Sequence, residues 1–225
     1  MSQAPKLTEL PTQLMLVLEV SAGAAERLAA ALAAAPIASV VIEPAAGRAL
    51  DAATAAPLVT AIQKANAAAL VAGDARLART LKADGVHLPP GETLEDAYGD
   101  ARETLGNRFV VGIDSGASRH DAMSLGEAGA EYIGFGLAAA SATTAEALAA
   151  AVDERLELIA WWAEIFEVPC VAFDVANPDE AHALAEAGAD FVAVRIVAGE
   201  LPAATHERIC AFSEAVAPAE RAVQG

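Results

Sequence analysis

Five acidic side chains each follow a short apolar run of the sequence, at or just past the residue where the run ends. They are Glu19, Glu43, Asp74, Asp114 and Asp174, with His87 and Arg195 as the basic residues in comparable positions. Carboxylates crowded into one place repel one another, so they raise their pKa values or recruit a cation. A divalent ion bound by two or three such oxygens and by water is a reasonable Mg²⁺ hypothesis. The alternative is that these carboxylates cap neighbouring helices or face solvent.

The elements that must position these side chains are short β-type runs, which alternate with Ala-rich helical runs along the chain. This alternation predicts repeated βα units around a parallel sheet. The 225 residues hold eight such pairs, which is the size of a compact TIM barrel. A doubly wound sheet is the alternative, but it usually has fewer strands, and no GxGxxG follows the first strand. The predicted strands cover residues 14–20, 37–43, 68–73, 85–89, 109–114, 132–137, 169–175 and 191–197.

We therefore predict the α/β class and a single-domain TIM (β/α)8 barrel over residues 1–225. Within it, residues 1–13 are expected to be a flexible amino-terminal segment and residues 218–225 a frayed carboxyl terminus. Three acidic residues directly precede strands, which places them at the amino-terminal face of the barrel, where structural roles are expected. These three are Asp84, Glu131 and Asp190.

Side chains along a strand alternate between two faces, so each strand offers one set to the helices and one to the barrel axis. Assigning the large apolar residues to the helices gives the outward set Leu16, Leu18, Val40, Ile42, Val86, Leu88, Val111, Ile113, Ile133, Phe135, Val171, Phe173, Val192 and Val194. The inward set is then Val17, Glu19, Val41, Glu43, Ala72, Asp74, His87, Gly112, Asp114, Gly134, Gly136, Ala172, Asp174, Ala193 and Arg195. The inward set is polar at the carboxyl ends of the strands, where TIM-barrel enzymes carry their chemistry. A register error of one residue would reverse the assignment.

The overall charge restricts the class of partner. The chain has 14 basic and 31 acidic residues and a formal net charge of −17, so a nucleic-acid backbone or an anionic bilayer would repel it. The sequence has neither an export signal nor a run of about 18 apolar residues, which predicts a cytoplasmic protein without membrane contact. A small-molecule metabolite, with or without a phosphate group, is the expected partner.

A long helix predicted near residues 145–166 has more apolar surface than one face needs. Its core stripe is predicted to be Leu156, Ile159, Ala163 and Phe166. A second apolar face is formed by Leu158, Trp161, Trp162 and Ile165. This second face predicts a homodimer interface, and the alternative is that another helix of the same chain packs on it.

Several runs of the sequence resemble a known family. Residues 73–78 (GDARLA) and 83–88 (ADGVHL) look like the signature of the thiamine-phosphate synthase (thiamine-phosphate pyrophosphorylase) family, in which Asn-Asp opens a helix and Ala-Asp-Gly-Val-His-Leu forms the next strand. Residues 111–113, 129–136 and 186–194 resemble the family's fifth, sixth and eighth strands. The resemblance covers most of the chain and implies a TIM barrel. Members of that family join hydroxymethylpyrimidine diphosphate to thiazole phosphate and release pyrophosphate with Mg²⁺.

The resemblance also implies roles for individual residues. Asp74 matches the aspartate after strand three, a Mg²⁺ ligand, and Glu92 takes the place of the second acidic ligand. His87 matches the strand-four histidine, and we take it together with Asp114 as the catalytic candidates. The substrate-binding candidates are Glu19, Glu43, Arg48, Gly136, Asp174 and Arg195.

The chain departs from the family pattern mainly where anions are bound. Glu43 has the wrong sign for the pyrophosphate-binding segment after strand two, where Arg48 is a candidate substitute, and the loop 137–144 lacks the family's lysine. Asp174 would repel phosphate, and Arg195 would either restore an anion contact or pair with Asp174 on the adjacent strand. The ion pair is predicted because carboxylates outnumber cations at the carboxyl ends of the strands, which form one mouth of the barrel.

Three functions follow as hypotheses. The first is a synthase-like transferase of thiamine biosynthesis that acts with Mg²⁺. The second is a barrel that has lost this chemistry and serves as a binding or assembly protein. The third is a metal-dependent lyase that uses the carboxylates as base and ligands.

Overall fold

The computed structural model describes residues 11–137 and 144–218, and they form eight alternating pairs of strand and helix. The strands are β1 Gln13–Glu19, β2 Ile37–Glu43, β3 Ala68–Ala72, β4 Gly85–Leu88, β5 Val110–Asp114, β6 Tyr132–Phe135, β7 Cys170–Ala172 and β8 Phe191–Ile196. The helices are α1 Ala24–Ala34, α2 Ala52–Lys64, α3 Ala75–Leu81, α4 Leu94–Leu105, α5 Arg119–Glu127, α6 Ala145–Ile165, α7 Pro178–Glu186 and α8 Pro202–Val216.

Each strand pairs in parallel with the next, and β1 also pairs with β8, so the sheet is a closed barrel. The predicted TIM barrel is therefore confirmed. The predicted amino-terminal segment falls partly on strand β1, which begins at Gln13, and residues 1–10 lie outside the described part of the chain. The same holds for residues 219–225 and for most of the loop 137–144.

Two apolar layers hold the barrel together. The outer layer lies between strands and helices and contains all of the predicted outward residues except Val171 and Phe173 of β7. The inner layer fills the barrel around Met15, Val17, Val41, Leu70, Tyr132, Val171, Phe173 and Ala193. Alternation of side chains along the strands produces both layers, as the sequence pattern predicted.

The predicted facing of β7 is wrong. Val171 and Phe173 belong to the inner layer, whereas Ala172 packs outward. The reason is space: a Cβ on Gly134 of β6 would lie 2.6 Å from the Phe173 ring, so the ring fills the volume that Gly134 leaves open. Gly112 of β5 likewise makes room for the Tyr132 ring, whose Cζ would lie 1.8 Å from an added Cβ. Aromatic side chains opposite glycines therefore close the barrel interior.

The three acidic residues that precede strands have the structural role predicted for them. Each carboxylate accepts a hydrogen bond from a backbone N–H of the preceding strand. Asp84 accepts from Ala69 (2.8 Å), Glu131 from Val111 (2.7 Å) and Asp190 from Cys170 (2.8 Å). The same type of hydrogen bond, from a strand N–H to a carboxylate, thus joins β3 to β4, β5 to β6 and β7 to β8 at the amino-terminal face.

Helix α6 buries a different face from the one predicted. Its buried residues are Arg155, Leu158, Ile159 and Trp162, so only Ile159 of the predicted core stripe is fully buried. Leu158 and Trp162 are therefore not available for the predicted dimer face. Trp161 is half-buried, with the Arg119 guanidinium 4.7 Å from its ring centroid, and Ile165 is exposed. A homodimer stays a prediction, with a smaller apolar face than the sequence indicated.

Candidate functional site

The carboxyl ends of the strands bring several of the predicted site residues to one mouth of the barrel. Glu19 of β1 and Glu43 of β2 are register partners at the ends of their strands. Arg195 of β8 is in register with Val17 of β1, below these two carboxylates. Its guanidinium extends up to Glu43, and the Nη1–Oε2 distance is 2.6 Å.

The predicted ion pair between Arg195 and Asp174 is therefore wrong. The reason lies in the backbone, because β7 ends at Ala172 and Asp174 leaves the strand in a left-handed conformation with φ of 56°. From this conformation its Oδ2 accepts a hydrogen bond from the N–H of Leu137 (3.0 Å), across the end of β6. Arg195 is half exposed and pairs with the carboxylate that its side chain reaches on β2.

Asp114 at the end of β5 is the buried carboxylate of the mouth, with 5% of its surface exposed. Its Oδ1 accepts hydrogen bonds from the N–H groups of Gly116 (2.8 Å) and Gly136 (3.0 Å). Burial raises the pKa of Asp114 to about 6, the two glycine N–H groups oppose this shift, and the nearby Asp174 adds to it. Asp114 can therefore gain or lose a proton near neutral pH, which suits a general acid or base.

Gly136 lies beside two of these carboxylates. A Cβ on Gly136 would lie 2.4 Å from Oδ2 of Asp114 and 3.2 Å from Oδ2 of Asp174, so both oxygens face the space that the glycine leaves open. The predicted site residues Asp114, Gly136 and Asp174 thus form one group. Because any side chain at this position would meet the Asp114 carboxylate, the site requires glycine here.

His87 lies lower in the barrel than these carboxylates and is 3% exposed. Its Nδ1 is 2.8 Å from the hydroxyl of Tyr132, and its ring packs against Phe173 with centroids 4.8 Å apart. Burial lowers the pKa of His87 to about 3, so the imidazole is neutral at physiological pH. The pKa of Tyr132 is raised well above its usual value by burial and by the Asp114 charge. His87 therefore contributes a neutral imidazole in the floor of the mouth.

The two predicted metal ligands lie on neighbouring loops. Strands β3 and β4 end side by side, since the N–H of Gly73 donates to the carbonyl of His87 (2.8 Å). Asp74 caps helix α3, with its Oδ1 accepting from the N–H of Leu77 (2.8 Å), and Glu92 is exposed in the following loop. Within residues 11–137 and 144–218, the structure has no cluster of three or more His, Cys, Asp or Glu side chains that would hold a metal. Two carboxylates suffice for Mg²⁺ only where substrate phosphates and water complete its octahedral shell.

Arg48 stands apart from the other candidates. It is exposed in the loop between β2 and α2, at the edge of a cavity of about 220 Å³ that Ser21 and Pro44 also line. It is therefore accessible to an anion, but the structure does not bring it together with the Asp114 group.

Arg155 is a site residue that the sequence analysis missed. It lies on α6 with 2% of its surface exposed, and it donates hydrogen bonds to the carbonyl of Phe173 and to the carboxylate of Glu180. A sequence signal existed, because Arg155, Leu158, Ile159 and Trp162 follow the i, i+3, i+4, i+7 spacing of a buried helix face.

The closed barrel and its polar mouth define a (β/α)8 barrel of the kind that carries small-molecule sites at the carboxyl ends of its strands. A family model described as thiamine monophosphate synthase matches residues 14–196. A thiamine-phosphate synthase of Erythrobacter litoralis (strain HTCC2594) is 40% identical over 231 residues, covering 94% of this chain and 99% of that protein. The chain belongs to the thiamine monophosphate synthase family.

Solved structures agree on the fold. A thiamine phosphate pyrophosphorylase from Pyrococcus furiosus is 20% identical, with a TM-score of 0.69 over 90% of this chain and 95% of that chain. A tryptophan synthase from Mycobacterium tuberculosis is 14% identical, with a TM-score of 0.67 over 92% of this chain and 93% of that one. Helices able to cross a bilayer are absent from the described residues.

Proposed function

We propose that the protein is a thiamine-phosphate synthase, which joins hydroxymethylpyrimidine diphosphate to thiazole phosphate and releases pyrophosphate. The observation that carries this proposal is the 40% identity to a thiamine-phosphate synthase over nearly the full length of both chains. Both substrates are small phosphorylated metabolites, and we expect the reaction to take place in the cytoplasm.

The reaction needs opposite charges in two places. A dissociative transfer leaves negative charge on pyrophosphate and positive charge on the pyrimidine, and preorganised groups of opposite sign stabilise each. Asp114 and Asp174 on β5 and the β7 end provide negative charge around Gly136, which suits the pyrimidine cation. Arg195 at the mouth, and Arg48 in the neighbouring loop between β2 and α2, are the cations that suit the diphosphate.

Mg²⁺ would be held by Asp74 and Glu92, whose carboxylates are exposed on adjacent loops. Bound there, the ion would neutralise negative charge on the diphosphate. Asp74 uses only Oδ1 to cap helix α3, so its second oxygen can face a ligand. We propose that helix capping fixes the Asp74 side chain in this orientation.

One observation favours a second function. Arg195 is already bound to Glu43, so an incoming diphosphate must compete with a carboxylate for the cation at this part of the mouth. A barrel that binds a neutral or cationic metabolite, without synthase chemistry, would be consistent with this ion pair. The two functions differ in whether pyrophosphate binds.

The test is an assay of the purified protein with both substrates and Mg²⁺, together with calorimetry of pyrophosphate. Synthase function predicts formation of thiamine phosphate and binding of pyrophosphate only when Mg²⁺ is present. Asp74→Asn should abolish both, and because Asn also caps helices well, loss of the cap would not explain the result. Glu92→Gln should weaken both, with Glu95→Gln, an exposed carboxylate in the first turn of α4, as the matched control. If the protein neither forms thiamine phosphate nor binds pyrophosphate, the second function, a barrel that binds a metabolite without synthase chemistry, is favoured.

A further inference from the structure

The buried charge of Arg155 is unusual for a residue in the middle of a helix. The side chain is 2% exposed, and among the described residues its Nε has no hydrogen-bond partner. Removing a guanidinium from water costs free energy, which a well-paired carboxylate returns only in part. An apolar side chain of similar size would fill this position with a smaller desolvation free energy. The charge of Arg155 is therefore expected to have a role other than stability.

Arg155 fixes the segment between β7 and α7. One of its nitrogens donates to the carbonyl of Phe173 and another to Oε1 of Glu180. The second oxygen of Glu180 accepts from the N–H of Ala176 (2.7 Å). Residues 173, 176 and 180 are therefore held by one ion pair, and Asp174 lies inside the segment that they define.

The held segment presents Asp174 to Asp114. Asp174 keeps its left-handed backbone, with φ of 56°, and its Oδ2 accepts from the N–H of Leu137. This places the Asp174 carboxylate beside Gly136, where its Oδ2 and Oδ2 of Asp114 face the same space that the glycine leaves open. Two carboxylates this close repel each other unless a cation lies nearby, and Arg155 is buried behind them.

We propose that Arg155 is a positioning residue for the Asp114–Asp174 pair: it fixes Asp174 opposite Asp114 and places a positive charge behind the two carboxylates. This charge favours the ionised form of Asp114 and so opposes the effect of burial. The groups that face Asp114 are Asp174 from the β7 end, Arg155 from α6, the phenol of Tyr132 from β6, and the N–H groups of Gly116 and Gly136. His87 of β4 lies behind Tyr132 and is neutral. Only the catalytic consequence of this proposal rests on the proposed function.

The test is the titration of the Asp114 carboxyl carbon by NMR, assigned by comparison with Asp114→Asn. Wild-type protein should titrate near pH 6. Arg155→Met should raise the midpoint by up to about one unit, because a nearby cation that favours the ionised carboxylate is lost. Glu180→Gln should lower the midpoint, because Arg155 then acts on Asp114 without its neutralising partner. Both variants break the same ion pair, so a merely structural role would move the midpoint in one direction in both.

Two further variants complete the test. Arg155→Lys keeps the charge and should titrate close to wild type, while Arg102→Met, which breaks the Arg102–Glu131 pair at the amino-terminal face, should not move the midpoint. Equal midpoints in wild type and Arg155→Met, or shifts of the same sign in Arg155→Met and Glu180→Gln, would overturn the proposal. If Arg155→Met does not fold, an unchanged midpoint in Glu180→Gln does the same.

The pH dependence of activity provides a second test of the role of Arg155. If the protein forms thiamine phosphate, the Asp114-dependent limb of the kcat/KM profile should follow the NMR midpoint in each variant. A protein that forms no product still gives the NMR titration, so failure of the proposed function and failure of the Arg155 proposal are distinguishable.

Discussion

The two ends of the barrel use acidic side chains in opposite ways. At the amino-terminal face, Asp84, Glu131 and Asp190 each accept a backbone N–H from the preceding strand, so their charge serves pairing between strands. At the carboxyl-end mouth, Asp114 and Asp174 accept hydrogen bonds from loop N–H groups, and Oδ2 of each faces the open space beside Gly136. The side chains are acidic at both ends. Whether a residue precedes or follows its strand decides whether it has a structural or a chemical role.

The largest expected effect that separates the two ends is that of Asp114→Asn. Activity should fall by about 100-fold or more, because a general acid or base contributes at least that much. The stability of this variant, in contrast, should exceed that of the wild type near neutral pH. In the folded protein the pKa of Asp114 is raised from 3.8 to about 6, so its contribution to stability is fully present below pH 3.8 and lost as pH rises through 6.

This loss corresponds to about 3 kcal/mol, since one pKa unit is about 1.4 kcal/mol. Asp114→Asn should therefore gain stability over wild type as pH rises from 4 to about 8, measured as the free energy of unfolding in urea at each pH. A constant difference across that range would contradict the assigned titration of Asp114.

A smaller effect, confined to stability, is expected at the other end. Glu131→Ala leaves the buried Val111 N–H without its acceptor and releases Arg102, which should lower the free energy of unfolding by about 1–3 kcal/mol. The value of kcat/KM should stay at the wild-type level at temperatures where the variant is folded. A fall in kcat/KM without a fall in stability would contradict the purely structural role of the acidic residues at the amino-terminal face.

A still smaller effect is expected from freeing Arg195. Glu43→Gln removes the carboxylate that occupies this guanidinium, and half-exposed ion pairs are worth about 1 kcal/mol or less. Affinity for pyrophosphate should therefore rise by up to about 5-fold. The same change at the neighbouring carboxylate, Glu19→Gln, should raise it less, because Glu19 has no ion pair with any of the residues that the structure describes. Calorimetry at constant ionic strength measures both.

No effect is expected from His87 between pH 5 and 8. Burial lowers its pKa to about 3, so its imidazole resonances should not move over this range. A His87 titration near neutrality would show that water reaches the barrel floor, and the mouth would then be deeper than the structure indicates.

The facing of most strands could be predicted because large and small side chains alternate along them. Strand β7 shows the same alternation in the opposite sense: its large residues Val171 and Phe173 face inward, because Gly134 of β6 leaves room for the Phe173 ring. The end of the barrel at which each acidic residue lies could be predicted, because it depends only on whether the residue precedes or follows its strand.

Other features of the mouth depend on geometry that the sequence does not encode locally. The left-handed backbone of Asp174 follows from contacts to β6 and α6, and the Arg195–Glu43 pair depends on how far a guanidinium reaches across β1. Arg155 was missed because a charged residue on a buried helix face has the spacing of a core position and the composition of a surface one. For Asp74, helix capping and metal binding were open alternatives, and capping is present without excluding the other.

The acidic residues of the amino-terminal face also divide the chain into modules. Each one links an odd-numbered strand to the next even-numbered strand, so β3–β4, β5–β6 and β7–β8 are each fastened as a two-strand unit. The backbone carbonyl of Asp190, the last of these residues, accepts the N–H of Gln13 (2.9 Å) and so joins the final unit to the first strand. Native-state hydrogen exchange should therefore open this barrel in pairs of strands, as expected of a fold assembled from quarter-barrel units.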